Sequence, residues 1–131
     1  MKFSDYYNSV LLTEIEEIFR VSRKSLFSGG RNRKIMYAKR MYITVLRNLF
    51  ALTYKEIGEL TNLSHASAIH HSKMSDFFRE MYADDEKAYK RIKNRLNEVG
   101  GEARIIQLLQ DNSQIKKELL EMYNIKTENN E

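Results

Sequence analysis

The 131-residue chain has no cysteine, no proline and only five glycines. Without cysteine there is neither a disulfide nor a thiolate metal site, which fits a cytoplasmic protein. Without proline, and with Lys, Glu, Leu, Ile and Arg abundant, little interrupts helix. No stretch of any length shows the apolar/polar alternation of a strand. The N-terminus MKFSDYYNSV lacks the long apolar core of a secretory signal, so none is expected. No run is apolar enough to span a bilayer, because Arg47 interrupts the best one, MYITVLRNLFAL.

Acidic residues are also missing, but only locally. From Ile18 to Lys55 there are ten cations and no anion: Arg20, Arg23, Lys24, Arg31, Arg33, Lys34, Lys39, Arg40, Arg47 and Lys55. From Asp76 onward 12 acids nearly balance 10 bases, so the net +4 is concentrated in the first half. A block this one-sided points to a polyanionic partner more than to an ordinary solvated face.

What is present is helical periodicity, and the fold class expected is all-α. Val10, Leu11, Ile15, Ile18 and Phe19 mark a helix over 7–20. A single turn follows around Ser22 to Phe27, then the basic glycine loop SGGRNRK over 28–34. Ile35, Ala38, Tyr42, Val45, Leu46 and Leu49 form one stripe of a helix over 35–51. Thr53 and Glu56 have the spacing of a capping box. They open a short helix over 54–61 with Ile57 and Leu60 facing inward. Asn62-Leu63-Ser64 is a tight turn, Ser64 the N-cap of a helix from His65 to about Met81. Asp84-Asp85 then starts a charged helix that stops at Gly100-Gly101. Further helices are expected over 103–110 and after Asp111-Asn112-Ser113, ahead of a disordered tail KTENNE. The domain boundary falls between 1–83, a compact helical domain, and 84–131, a helical extension.

A short helix, a tight turn and a longer helix make a helix-turn-helix, with Gly58 where the two helices cross closely. Residues 19–78 resemble the C-terminal DNA-binding domain of the bacterial replication initiator DnaA. FRVSRKSLFS is similar to the segment ahead of that family's basic loop. RNRKIMYAKRMYITVLRNL is similar to the loop and its long helix, and LTYKEIGEL to the first helix of the motif. SHASAIHHSK is similar to the family signature Asp-His-Thr-Thr-Val-Leu-His-Ala-Cys-Arg.

The resemblance implies double-stranded DNA as partner, with an arginine of the loop in the minor groove and the signature helix in the major groove. Arg31 and Arg33 are then the loop candidates, and Lys34 and Lys39 phosphate contacts. Thr53, Tyr54 and Lys55, at a helix N-terminus, would hold a phosphate through free amides. Ser64, His65, Ala66, Ser67, His70 and Lys73 are the signature positions. Ser64 stands for the aspartate, and Ala66 and Ser67 for the two threonines, so the base sequence read should differ from the usual initiator box.

The chain contains no GxxxxGK motif followed by Ser or Thr, so the initiator's ATPase domain is not expected. The three histidines within seven residues invite a metal or catalytic reading. On a helix, however, His70 and His71 point roughly 140° and 240° away from His65, whereas chelation from one helix wants spacings of three or four. No metal, no cofactor and no enzymatic activity are therefore expected. His65 should lead toward base edges, His70 is a second contact candidate, and His71 should pack inward.

On the fourth helix Ala68, Ser72, Ser75, Phe78 and Tyr82 form a small-residue side, and Ile69, Met74, Phe77 and Met81 a more apolar one. The resemblance selects the small side as core. The C-terminal helices or a partner chain are then expected over Met74, Phe77 and Met81. The role expected is replication initiation or its control in a bacterial cell, the gene being bacterial or phage-borne. Transcriptional regulation by the same domain is one alternative. An RNA-binding or oligomeric interaction protein, assembled through its C-terminal helices, is the other.

Overall fold

A computed structural model describes residues 2–28, 32–111, 117, 118 and 120–122. Among them there is no strand, and the helices are α1 (Asp5–Phe19), α2 (Arg23–Leu26), α3 (Arg33–Asn48), α4 (Tyr54–Thr61), α5 (His65–Met81) and α6 (Ala83–Asp111), with helical residues again at 117, 118 and 120–122. The chain forms two compact units, Met1–Leu96 and Asn97–Glu131. In the first unit the core includes Leu11, Ile15, Leu26, Ala38, Tyr42, Leu46, Ile57 and Ala68, and extends to Tyr89, Ile92 and Leu96 of α6.

Helix starts follow side-chain caps. The Oγ atoms of Ser4, Ser22 and Ser64 and Asn32 Oδ1 each accept from a backbone amide two or three residues on. Asn32 moves the start of α3 two residues ahead of the sequence expectation. That helix also ends earlier, at Asn48, because Ala51 takes the left-handed conformation (φ 55°). The Arg47 guanidinium donates to the Leu52 carbonyl across this turn at 2.9 Å.

Tyr42 Oη donates to Asn8 Oδ1 at 2.7 Å and joins α3 to α1. Burial pushes the Tyr42 phenol up to about 12. Glu14 is buried on α1 and accepts from Arg91 of α6 at 3.1 Å, while Arg91 also reaches Glu17.

Three expectations are corrected. Leu60 does not face inward but is 37% exposed. The buried positions of α4 are Ile57, Gly58 and Thr61, because α5 approaches on the glycine side. The charged helix does not stop at Gly100-Gly101. It continues to Asp111 as part of α6, the helix formers on both sides outweighing about 1 kcal/mol per glycine. It begins at Ala83, so Asp84 and Asp85 lie in its first turn, where their charge favours the helix N-terminus. The C-terminal tail KTENNE and the helix start at Asn112-Ser113 lie outside the described residues.

Candidate nucleic-acid interface

The turn between α4 and α5 depends on one close approach. Leu63 N donates to the Gly58 carbonyl at 2.9 Å, and Asn62 takes the left-handed conformation (φ 56°). A Cβ on Gly58 would lie 2.6 Å from the Leu63 carbonyl oxygen. Only glycine lets the chain turn this sharply and seat α5 on α4. Ala68, Ser72 and Ser75 form the buried side of α5, as the small-residue face requires.

That seating leaves the first turn of α5 outward. Ser64 Oγ accepts from Ser67 N at 3.1 Å and donates to Ser67 Oγ at 3.0 Å, so both hydroxyls are held in the cap. His65 and Ala66 are exposed, Ser67 is half-buried, and His70 and Lys73 are exposed further along. His71 is half-buried and accepts through Nδ1 from Arg40 Nε at 3.2 Å. Burial first, then the charges of Arg40, His70 and Lys39, hold the His71 imidazole below its ordinary value. Among the described residues no group of three His, Cys, Asp or Glu side chains is placed to hold a metal ion.

At the start of α4 the capping box is formed in full. Thr53 Oγ1 accepts from Glu56 N and Glu56 Oε1 accepts from Thr53 N, both at 3.1 Å. The bond from the Thr53 amide holds the Glu56 carboxyl below its ordinary value. The box leaves the amides of Tyr54 and Lys55 at the helix start. Lys55 is exposed and Tyr54 half-buried. The Arg47 guanidinium lies 4.5 Å over the Tyr54 ring, and that ring lies 6.1 Å from His65.

Arg33 and Lys34 open α3 and are exposed, whereas Lys39 is half-buried and desolvation lowers its pKa. Arg31, Gly29 and Gly30 lie outside the described residues. The basic block divides by role. Arg23 pairs with Glu16 at 2.8 Å, Arg40 lies over Phe78 and against His71, and Arg47 is drawn onto Tyr54. Arg20, Lys24, Arg33, Lys34 and Lys55 remain exposed. The sequence did not place Arg40 or Arg47 among the site residues, because their partners lie across a turn or on another helix. Asn32 carried a readable signal, being a favoured cap residue directly before the helix.

Tyr37 meets Phe78 edge-on at 5.7 Å and Arg40 meets His71, so ascending α3 means descending α5. The start of α3 thus sits by the far end of α5, about 24 Å along that 17-residue helix from His65. The site residues form two groups rather than one cluster. On the apolar side of α5, Ile69 and Met74 are half-buried, while Phe77 and Met81 are not covered as expected but 51% and 61% exposed. At the end of the small-residue side Tyr82 is not core but 54% exposed.

The family model described as the bacterial DnaA protein helix-turn-helix matches residues 9–74, just over half of the chain. The chain belongs to the bacterial DnaA helix-turn-helix family. The match begins in α1, ahead of the motif-bearing stretch, and ends within α5. The DnaA-type region therefore includes most of α1 as well as the motif. Comparisons with curated proteins and with solved structures give no match. No helix among the described residues is long and apolar enough to cross a membrane.

Proposed function

We propose that the protein binds double-stranded DNA sequence-specifically, in replication initiation or its control. In this reading the first turn of α5 enters the major groove, with His65, Ala66 and Ser67 at base edges and His70 and Lys73 along its flank. The amides of Tyr54 and Lys55 hold a backbone phosphate, which the partial positive charge of a helix N-terminus favours. Arg31, Arg33 and Lys34 lie on the neighbouring minor groove and its phosphates, and Lys39 is a further phosphate contact.

The observation that carries the reading is the exposed, capped first turn of α5, seated by Gly58 and the small residues Ala68, Ser72 and Ser75. Membership of the DnaA helix-turn-helix family supports it. So does the separation of the site residues into two groups, at the starts of α5 and α3. Adjacent grooves lie about half a helical turn apart, roughly 17 Å, so groups at opposite ends of a helix such as α5 can face two of them.

Equilibrium binding to duplex, single-stranded DNA and RNA at several salt concentrations tests this. Duplex should be preferred, with an affinity that falls steeply as salt rises. Equal affinity for RNA or single strands would reject it.

A further inference from the structure

We infer that Tyr54 is a positioning residue for His65, held in turn by Arg47, and that this stack sets the preference at the base pair His65 reads. The inference rests on the reading of α5 as a major-groove helix. Three elements meet at one corner: Arg47 near the end of α3, Tyr54 first in α4 and His65 first in α5. The Tyr54 and His65 rings are 6.1 Å apart with planes inclined by 41°. The Arg47 guanidinium lies 4.5 Å from the Tyr54 ring centroid and is fixed a second time by the Leu52 carbonyl at 2.9 Å.

An exposed histidine at the first turn of a helix has several open rotamers. An imidazole that samples them donates and accepts in several directions and discriminates bases poorly, because base readout depends on hydrogen-bond direction. A ring against one side removes part of that freedom before DNA arrives, so less ordering is left to binding. Tyr54 can serve as that side because it is itself half-buried against the core. Arg47 can back it because a planar guanidinium stacks on an aromatic face, which an ammonium does less well. The Tyr54 hydroxyl has no hydrogen bond among the described residues, so the ring face is the working part. Arg47, one of the ten cations of the basic block, is thereby committed to the protein rather than to a phosphate.

The experiment compares wild type with Tyr54→Phe, Tyr54→Leu, Arg47→Lys, His65→Ala and Tyr54→Leu/His65→Ala. Leucine keeps apolar bulk at 54, and circular-dichroism melts verify the fold of each variant. Affinities are measured for a selected duplex, for its single-base-pair substitutions and for an unrelated duplex. Tyr54→Phe should match wild type. Tyr54→Leu should cut discrimination about tenfold at the one base pair that His65→Ala also relaxes. Its affinity for the unrelated duplex should fall by less than its affinity for the selected one. Arg47→Lys should lower the same discrimination by less. The double variant should equal His65→Ala alone.

In the free protein, the proton resonances of the His65 ring should carry a ring-current shift that Tyr54→Leu removes and Tyr54→Phe retains. Additive losses in the double variant, or equal losses on selected and unrelated duplexes, would overturn the positioning role. So would a Tyr54→Phe variant that behaves like Tyr54→Leu. Specific binding with additive variants removes this inference alone. If no duplex is bound specifically, the reading of α5 falls, and the resonance shift still judges the stack.

Discussion

Arg40 Nε lies 3.2 Å from His71 Nδ1 and donates to it, so the imbalance of charge around this histidine is built into the α3–α5 contact. Lys39 and Arg40 of α3 and His70 of α5 lower its pKa in addition to burial. The unfolded chain has a histidine near pH 6.5, and it takes up a proton before the folded one does. Stability from this site is therefore full above about pH 6.5 and is lost as pH falls through the window below it. Urea midpoints at pH 7.5 and pH 5.5 should differ more for wild type than for His71→Gln. An equal difference would mean that His71 does not carry the linkage.

Gly58→Ala should destabilise the protein by about 1–3 kcal/mol, because the methyl would meet a backbone carbonyl, which cannot rotate away as a side chain could. Chemical denaturation measures this directly. DNA binding should weaken as well, since the same turn seats α5.

Tyr42→Phe should cost about 0.5–1.5 kcal/mol by removing the donor to Asn8. The loss should appear in thermal or urea unfolding. Because the phenol is raised to about 12 in the folded state, its contribution is full below the ordinary tyrosine range and fades as pH rises through the folded value.

Cations of the basic block should not act alike. Arg33→Ala should weaken binding to all duplexes and reduce the slope of log affinity against log salt by about one. Arg23→Ala should leave that slope unchanged, because Arg23 is already paired with Glu16 and bonded to Thr13. Salt titrations of the two variants beside wild type distinguish them.

The helix-turn-helix was legible because its signals are local. Thr53 and Glu56 fix the start of α4, and Ser64 fixes the start of α5. The observed bounds of α4, Tyr54–Thr61, are those the sequence implied. The buried part of the small face of α5, Ala68, Ser72 and Ser75, was also readable once the family resemblance chose between two sides, whereas Tyr82 at its end is exposed. Leu60 was misread because helical spacing from Ile57 is satisfied on either side of the buried stripe. Which side is buried depends on the close approach at Gly58, a tertiary fact. The glycine pair at 100–101 read as a stop because its local cost is visible in sequence, while the compensating stability of a 29-residue helix is not. The stack of Arg47 on Tyr54, and of Tyr54 beside His65, had no sequence signal, since it joins three elements across two turns.

Selection of bound duplexes from a random pool, followed by sequencing, tests the central claim most directly. The protein should enrich one short motif, and His65→Ala should relax one position of it while leaving the others in place. A pool that stays random after several rounds, or an identical motif from the His65→Ala variant, would contradict the account.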